Sequence, residues 1–119
     1  MKQIVLAKTH AEFLNKILGT HYKGWRSSRY PYDKETWVWM VRFDGKIRSG
    51  WLNLIVNENE IHEKYVDSAP PTFKDDKRKF RIVVSVKEGY NGREYHVLGK
   101  YRYDENKSSI GCHVFLKEE

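Results

Sequence analysis

The sequence predicts a mainly antiparallel α+β domain, a strongly bent sheet or small β-barrel carrying one or two short helices. Three observations lead there. Apolar and polar residues alternate over several short runs, and these runs are separated by Gly, Asp and Asn. One segment near the start carries a helix signal. The 119 residues also hold four Trp and eight Tyr, 14% aromatics in a chain only 39% hydrophobic. A disordered chain of this charge would be poor in rings, so a folded unit is expected, as one domain over residues 1–119.

MKQIVLA reads as a first strand. In THAE, Thr9 and Glu12 form a capping box, with Thr9 accepting from a first-turn N–H and Glu12 reaching back. Phe13, Leu14, Ile17 and Leu18 follow at helical spacing, and Gly19 stands where a left-handed cap belongs. TWVWMVRF, then Asp44-Gly45, then KIRSGWLNLIVN predicts a hairpin closed by an Asp-Gly turn. Its first strand is apolar on nearly both faces, Trp37, Trp39, Val41 and Phe43 on one and Val38 and Met40 on the other. That pattern suits a central strand, or one with a binding face. ENEIHEKYVDSAPPTFKDDK reads as a long polar connection with one helical turn in IHEKYV. Phe80 to Lys87 alternates as a half-buried strand, EGYNGRE turns, and Tyr95 to Tyr103 is a strand with Gly99 marking a bulge. DENKSS turns the chain again and CHVFLKE closes it.

The net charge of +6 favours polyanionic partners. Residues 21–50 carry seven Lys/Arg against three acids, and residues 74–107 ten against six, so each block nets +4. Within HYKGWRSSRYPY, residues 21–32, four rings and three fixed cations stand together without an acid. Bases stack on rings at roughly 1–3 kcal/mol each, while Arg and Lys meet phosphates. The candidate nucleic-acid-binding residues are therefore Lys23, Trp25, Arg26, Arg29, Tyr30 and Trp39, with Tyr22 or Tyr32 turned inward. The alternative is that several of these rings pack on the sheet. Trp37, Trp39 and Trp51 could wall a pocket, although three indoles on facing strands more often form the core of a small barrel. Lys77, Arg78, Lys79 and Arg81 in KDDKRKFR offer a further phosphate-contact edge.

Catalytic signals are weak. The five histidines show no metal spacing, and there is no Gly-rich phosphate loop and no GxSxG. Glu58, Glu60, His62 and Glu63 in ENEIHE could ligate a cation, yet a polar loop produces such clusters by chance. Cys112 and His113 would point to opposite faces of a strand, so they cannot pair as nucleophile and base. With one cysteine, no intramolecular disulfide can form. No run approaches the roughly 18 apolar residues of a membrane helix, and MKQIVLAKTHAEF is too short in its apolar run for a signal peptide. The expectation is a cytoplasmic protein that binds no metal or cofactor and has no membrane partner.

REYHVLGKYRYDENKSSIGCHVFLKE, residues 93–118, resembles the closing segment of modified-DNA-reading domains attached to restriction nucleases. Tyr95, Leu98, Gly99, Tyr101, Asp104 and Ser108 are the positions that match. Such domains, with the related PUA-like and SRA-like barrels, bind modified or flipped bases in aromatic pockets. The resemblance implies a stand-alone reader, since no nuclease motif accompanies it, and it carries over no individual site residue. The first expectation is thus a non-catalytic nucleic-acid-binding module that reads a modified or flipped-out base, with DNA favoured over RNA. Two alternatives stand beside it. One is a protein-interaction module, such as a phage or mobile-element inhibitor of a host factor, because Trp, Tyr and Arg dominate binding hot spots. The other is a small metal-dependent nuclease.

Overall fold

The computed structural model describes residues 3–7, 14–16, 29–67, 79–90 and 92–118. Among the described residues, eight strands form one mixed sheet: β1 Gln3–Ala7, β2 Arg29–Pro31, β3 Thr36–Val41, β4 Trp51–Asn57, β5 Glu60–Tyr65, β6 Phe80–Gly89, β7 Gly92–Tyr103 and β8 Cys112–Lys117. Seven lie on one path, β2-β3-β6-β7-β8-β5-β4, and β1 pairs with the first half of β7. β3 and β6 run parallel, and every other pairing is antiparallel.

This corrects the α+β expectation. Strands make up 64% of the described residues and helix only 4%, no described helix reaches seven residues, and the sheet does not close into a barrel. Of the predicted first helix, Leu14 to Lys16 are helical, and its other positions lie outside the described residues. The expected helical turn in IHEKYV is strand β5. Ile61 and Tyr65 stand four apart, which suits a helix, but with Glu63 they also share one face of a strand. Pairing with β4 and β8 on both sides settles the matter for strand.

The predicted hairpin across Asp44-Gly45 does not form. β3 lies between β2 and β6, while β4 pairs with β5 at the end of the path. The Asp44 carboxylate instead shapes a loop. It accepts from the Lys46 N–H at 3.0 Å and from the Arg48 guanidinium at 2.9 and 2.7 Å. That fork and the amide bond hold Asp44 well below the usual carboxylate range. The tight hairpin lies one connection later, where the Asn59 N–H donates to Asn57 Oδ1 at 2.8 Å between β4 and β5. Asx-type side chains set both turns; only the second closes a ladder.

The sheet is sharply bent. The rings of Trp39 on β3 and Phe115 on β8 are 5.3 Å apart, although β6 and β7 lie between those strands. Three strand spacings in a flat sheet would separate them by about 14 Å. The bend coincides with an irregularity in β7, where Val83 pairs with Gly99 but Val84 with Val97. Leu98 is thus the extra residue, and Gly99 at φ 136° adopts a backbone few side chains allow. Gly99 was expected to mark a bulge, and it does.

Two cores follow from the bend. Leu14, Tyr30, Val38, Met40, Val84, Val86 and Tyr95 pack on the outer face. Trp39, Val41, Ile61, Val83, Tyr101 and Phe115 fill the concave face. β3 and β6 contribute alternate residues to each core, so β6 is buried on both faces rather than half-buried.

Candidate nucleic-acid interface

The concave face is not purely apolar. Along β6, period two places Arg81 beside Val83 and Ser85 on that face, and Arg81 is only 5% exposed. Its guanidinium lies over the rings of Trp39 at 4.6 Å and Phe115 at 4.4 Å, and stacking on two rings offsets part of the loss of water. Arg81 therefore does not belong to a phosphate-contact edge. Lys79 is exposed, while Lys77 and Arg78 lie outside the described residues.

Beside this floor runs a polar row set by strand register. Asn53 on β4 pairs with Glu63 on β5, and Glu63 pairs with His113 on β8. His113 Nδ1 and Glu63 Oε1 are 3.0 Å apart. Burial pushes the Glu63 carboxyl up. The hydrogen bond from His113 and the charges of Arg81, His113 and Arg29 outweigh it, and the net displacement is downward. Glu63 is thus a carboxylate, and His113 donates Nδ1–H to it. Next in the row, Asn53 Oδ1 is buried and has no hydrogen-bond partner among the described residues. A buried acceptor left in that state forgoes about 1–3 kcal/mol.

Half-exposed rings rim the row. Trp51 meets Tyr65 edge-on at 4.9 Å and His113 at 5.2 Å. Tyr103 meets His113 and Phe115, each at 5.8 Å. At the far end of the path, Arg29 sits 5.0 Å over the Trp37 ring, and its charge reaches Glu63. Rings, one carboxylate, amide and imidazole groups and two guanidinium groups together suit a flat heterocycle that both donates and accepts hydrogen bonds.

The expected site residues are divided by this arrangement. Lys23, Trp25 and Arg26 lie outside the described residues, as does Tyr22. Arg29 lies on the rim, and Trp39, 3% exposed, in the floor. Tyr30 points the other way and is wholly buried in the outer core, so its ring is a packing group there. Of the two rings one of which was expected to turn inward, Tyr22 is among those outside the described residues and Tyr32, just past the end of β2, is half exposed. Trp37 and Trp51 flank the concave face without being fully buried.

Asn53 went unread, and Glu63, Arg81 and His113 were weighed for other roles: a cation cluster, a phosphate-contact edge and a pairing with Cys112. Their signal was a polar residue on the inward phase of an otherwise apolar alternation, as in Trp51-x-Asn53, Ile61-x-Glu63-x-Tyr65 and His113-x-Phe115. In ENEIHE, the same alternation sends Glu60 and His62, 2.6 Å apart, to the face opposite Glu63, so these three side chains do not converge on a cation.

The family model of the SRA, or SET and RING associated, domain matches residues 1–117. Among solved structures, the 5-hydroxymethylcytosine-specific restriction enzyme AbaSI aligns with 97% of this chain at a TM-score of 0.69 and 20% identity. The aligned part is 38% of that enzyme's chain, and at this identity the likeness is one of fold. No curated protein sequence matches.

Proposed function

The chain belongs to the SET and RING associated domain family, and from that premise we propose that its concave face holds a modified base taken out of a DNA duplex. It is a DNA-binding module of the modified-base-reading kind. The observation that carries the finer reading is the largely buried row Asn53–Glu63–His113, walled by rings and, among the described residues, lacking a donor for Asn53 Oδ1. A cytosine ring matches that row. Its exocyclic amine would donate to Asn53 Oδ1 and to the Glu63 carboxylate, while its face stacks against the rim rings Trp51 and Tyr103. A substituent at C5 then decides how well the base fills the site, and 5-hydroxymethylcytosine, named for AbaSI, is the first probe to try. Lys23, Arg26 and Arg29 would meet phosphates outside the pocket, with Trp25 stacking near them.

Asn53→Leu separates reading from general attraction. The variant is expected to lose preference for a duplex with one 5-hydroxymethylcytosine over its unmodified twin by roughly tenfold, or about 1–3 kcal/mol. Its salt-dependent binding to plain duplex should persist. Anisotropy titrations of both duplexes measure this, and an undiminished preference would remove Asn53 from the site.

A further inference from the structure

Asp44-Gly45 has a reactivity of its own. In an aspartyl–glycyl step the glycine nitrogen can attack the aspartate Cγ, with no Cβ on the glycine to hinder it. A C–N bond forms, the carboxyl hydroxyl and the amide proton leave as water, and a cyclic imide results. Water then reopens the ring at either carbonyl, giving back aspartate or giving isoaspartate, with nothing oxidised or reduced. The carboxyl must carry a proton to leave in this way.

Packing does not restrain this step. Residues 44–49 are exposed, and a Cβ added to Gly45, at φ 77°, would meet nothing within 4 Å among the described residues. The restraint is the Asp44 side chain itself. Oδ1 accepts from the Lys46 N–H and from Arg48 Nη1, and Oδ2 accepts from Arg48 Nη2. Arg48 is in turn anchored, because its N–H and C=O both pair with Trp51 at 2.9 Å across the Ser49-Gly50 turn.

We propose that Asp44-Gly45 is a site of spontaneous isoaspartate formation, held closed by the Arg48 fork. The attack removes one carboxyl oxygen and turns Cγ toward Gly45, so it cannot proceed while both oxygens are held. The fork also keeps the carboxyl ionised, and an ionised carboxyl does not leave as water. Two parallel bonds from an anchored guanidinium are the geometry in which an exposed pair counts. Isoaspartate would add a methylene to the main chain and carry the carboxylate out of the fork. Trp51, paired with Arg48, supplies a rim ring of the concave face, so the change would reach that face. None of this depends on which base the face accepts.

Cleavage after Arg42 and Lys46 releases residues 43–46, whose aspartyl and isoaspartyl forms separate, and heavy oxygen taken up from labelled water counts each ring opening. At about pH 6, the unsubstituted chain should form isoaspartate roughly tenfold more slowly than a free peptide of residues 42–50, since each pKa unit by which a carboxyl is lowered removes about tenfold of its protonated form. Arg48→Met should react near the peptide's rate. Arg48→Lys, a charge without a fork, should keep little of the protection. Added salt screens the exposed pair, so the unsubstituted chain should speed up while the peptide does not, a readout independent of how either variant folds. The proposal is overturned if the unsubstituted chain matches the peptide or if Arg48→Met stays as slow as the unsubstituted chain. A rate in the unsubstituted chain that salt leaves unchanged would also overturn it.

Discussion

Trp39→Ala is expected to lower folding stability by about 3–5 kcal/mol, the range for truncating a buried large aromatic. The size of the effect follows from where the indole lies. Trp39 is in the concave core on a strand buried on both faces, tilted against Phe115 at 5.3 Å and under the Arg81 guanidinium at 4.6 Å. Its removal opens a cavity and strips a buried cation of one of its two stacked rings. Domains of this size have about 5–15 kcal/mol in total, so the urea midpoint should fall by roughly a fifth or more of its value. Trp39→Phe keeps a ring under Arg81 and should lose well under half as much. Equal losses for the two variants would mean that the stack contributes nothing and that volume alone matters.

Glu63→Ala is expected to cost a similar amount, on the order of 3–5 kcal/mol, because it leaves Arg81 and His113 buried without their carboxylate. Glu63→Gln keeps the shape and isolates the charge. The folded-state pKa of Glu63 lies below its ordinary value of 4.5, so the carboxylate contributes stability that is fully present above about pH 4.5 and is lost as the pH falls through the folded pKa. Denaturant titrations between pH 7 and pH 3 should therefore show the unsubstituted chain losing stability on acidification more steeply than Glu63→Gln. Parallel curves would exclude Glu63 as a paired carboxylate.

Strands were legible in the sequence wherever period two was regular, as in β3, β6, β7 and β8, and Gly99 was legible because a glycine inside such a run has few other uses. Pairing was not. Asp44-Gly45 carries the strongest local hairpin signal in the chain, yet Arg48 four residues on captures the Asp44 carboxylate and turns the segment into a loop. The parallel union of β3 with β6 joins strands about forty residues apart, which no local signal announces. β5 was misread because Ile61 and Tyr65 fit a helix and a strand equally well, and long-range pairing decided between them.

The site was legible in part for the same reason. Rings and cations in one continuous stretch are visible, so residues 21–32 drew the eye. Arg29 does lie on the rim, while neighbouring Tyr30 belongs to the opposite core. The row Asn53–Glu63–His113 brings together residues up to sixty positions apart, one from each of three strands, and each looks ordinary in its own segment. The one available sign was a polar side chain in an inward phase. Its use becomes apparent only once the bend brings β8 over β3.

The most direct measurement is a tryptophan-fluorescence titration with three duplexes that differ at one base: cytosine, 5-methylcytosine or 5-hydroxymethylcytosine. Each is run at two salt concentrations. If the concave face reads a modified base, one of the modified duplexes should bind about tenfold or more tighter than the unmodified one, with quenching from Trp51 at the rim and a salt slope common to all three. Equal affinity for the three duplexes, or no quenching at low salt, would contradict it.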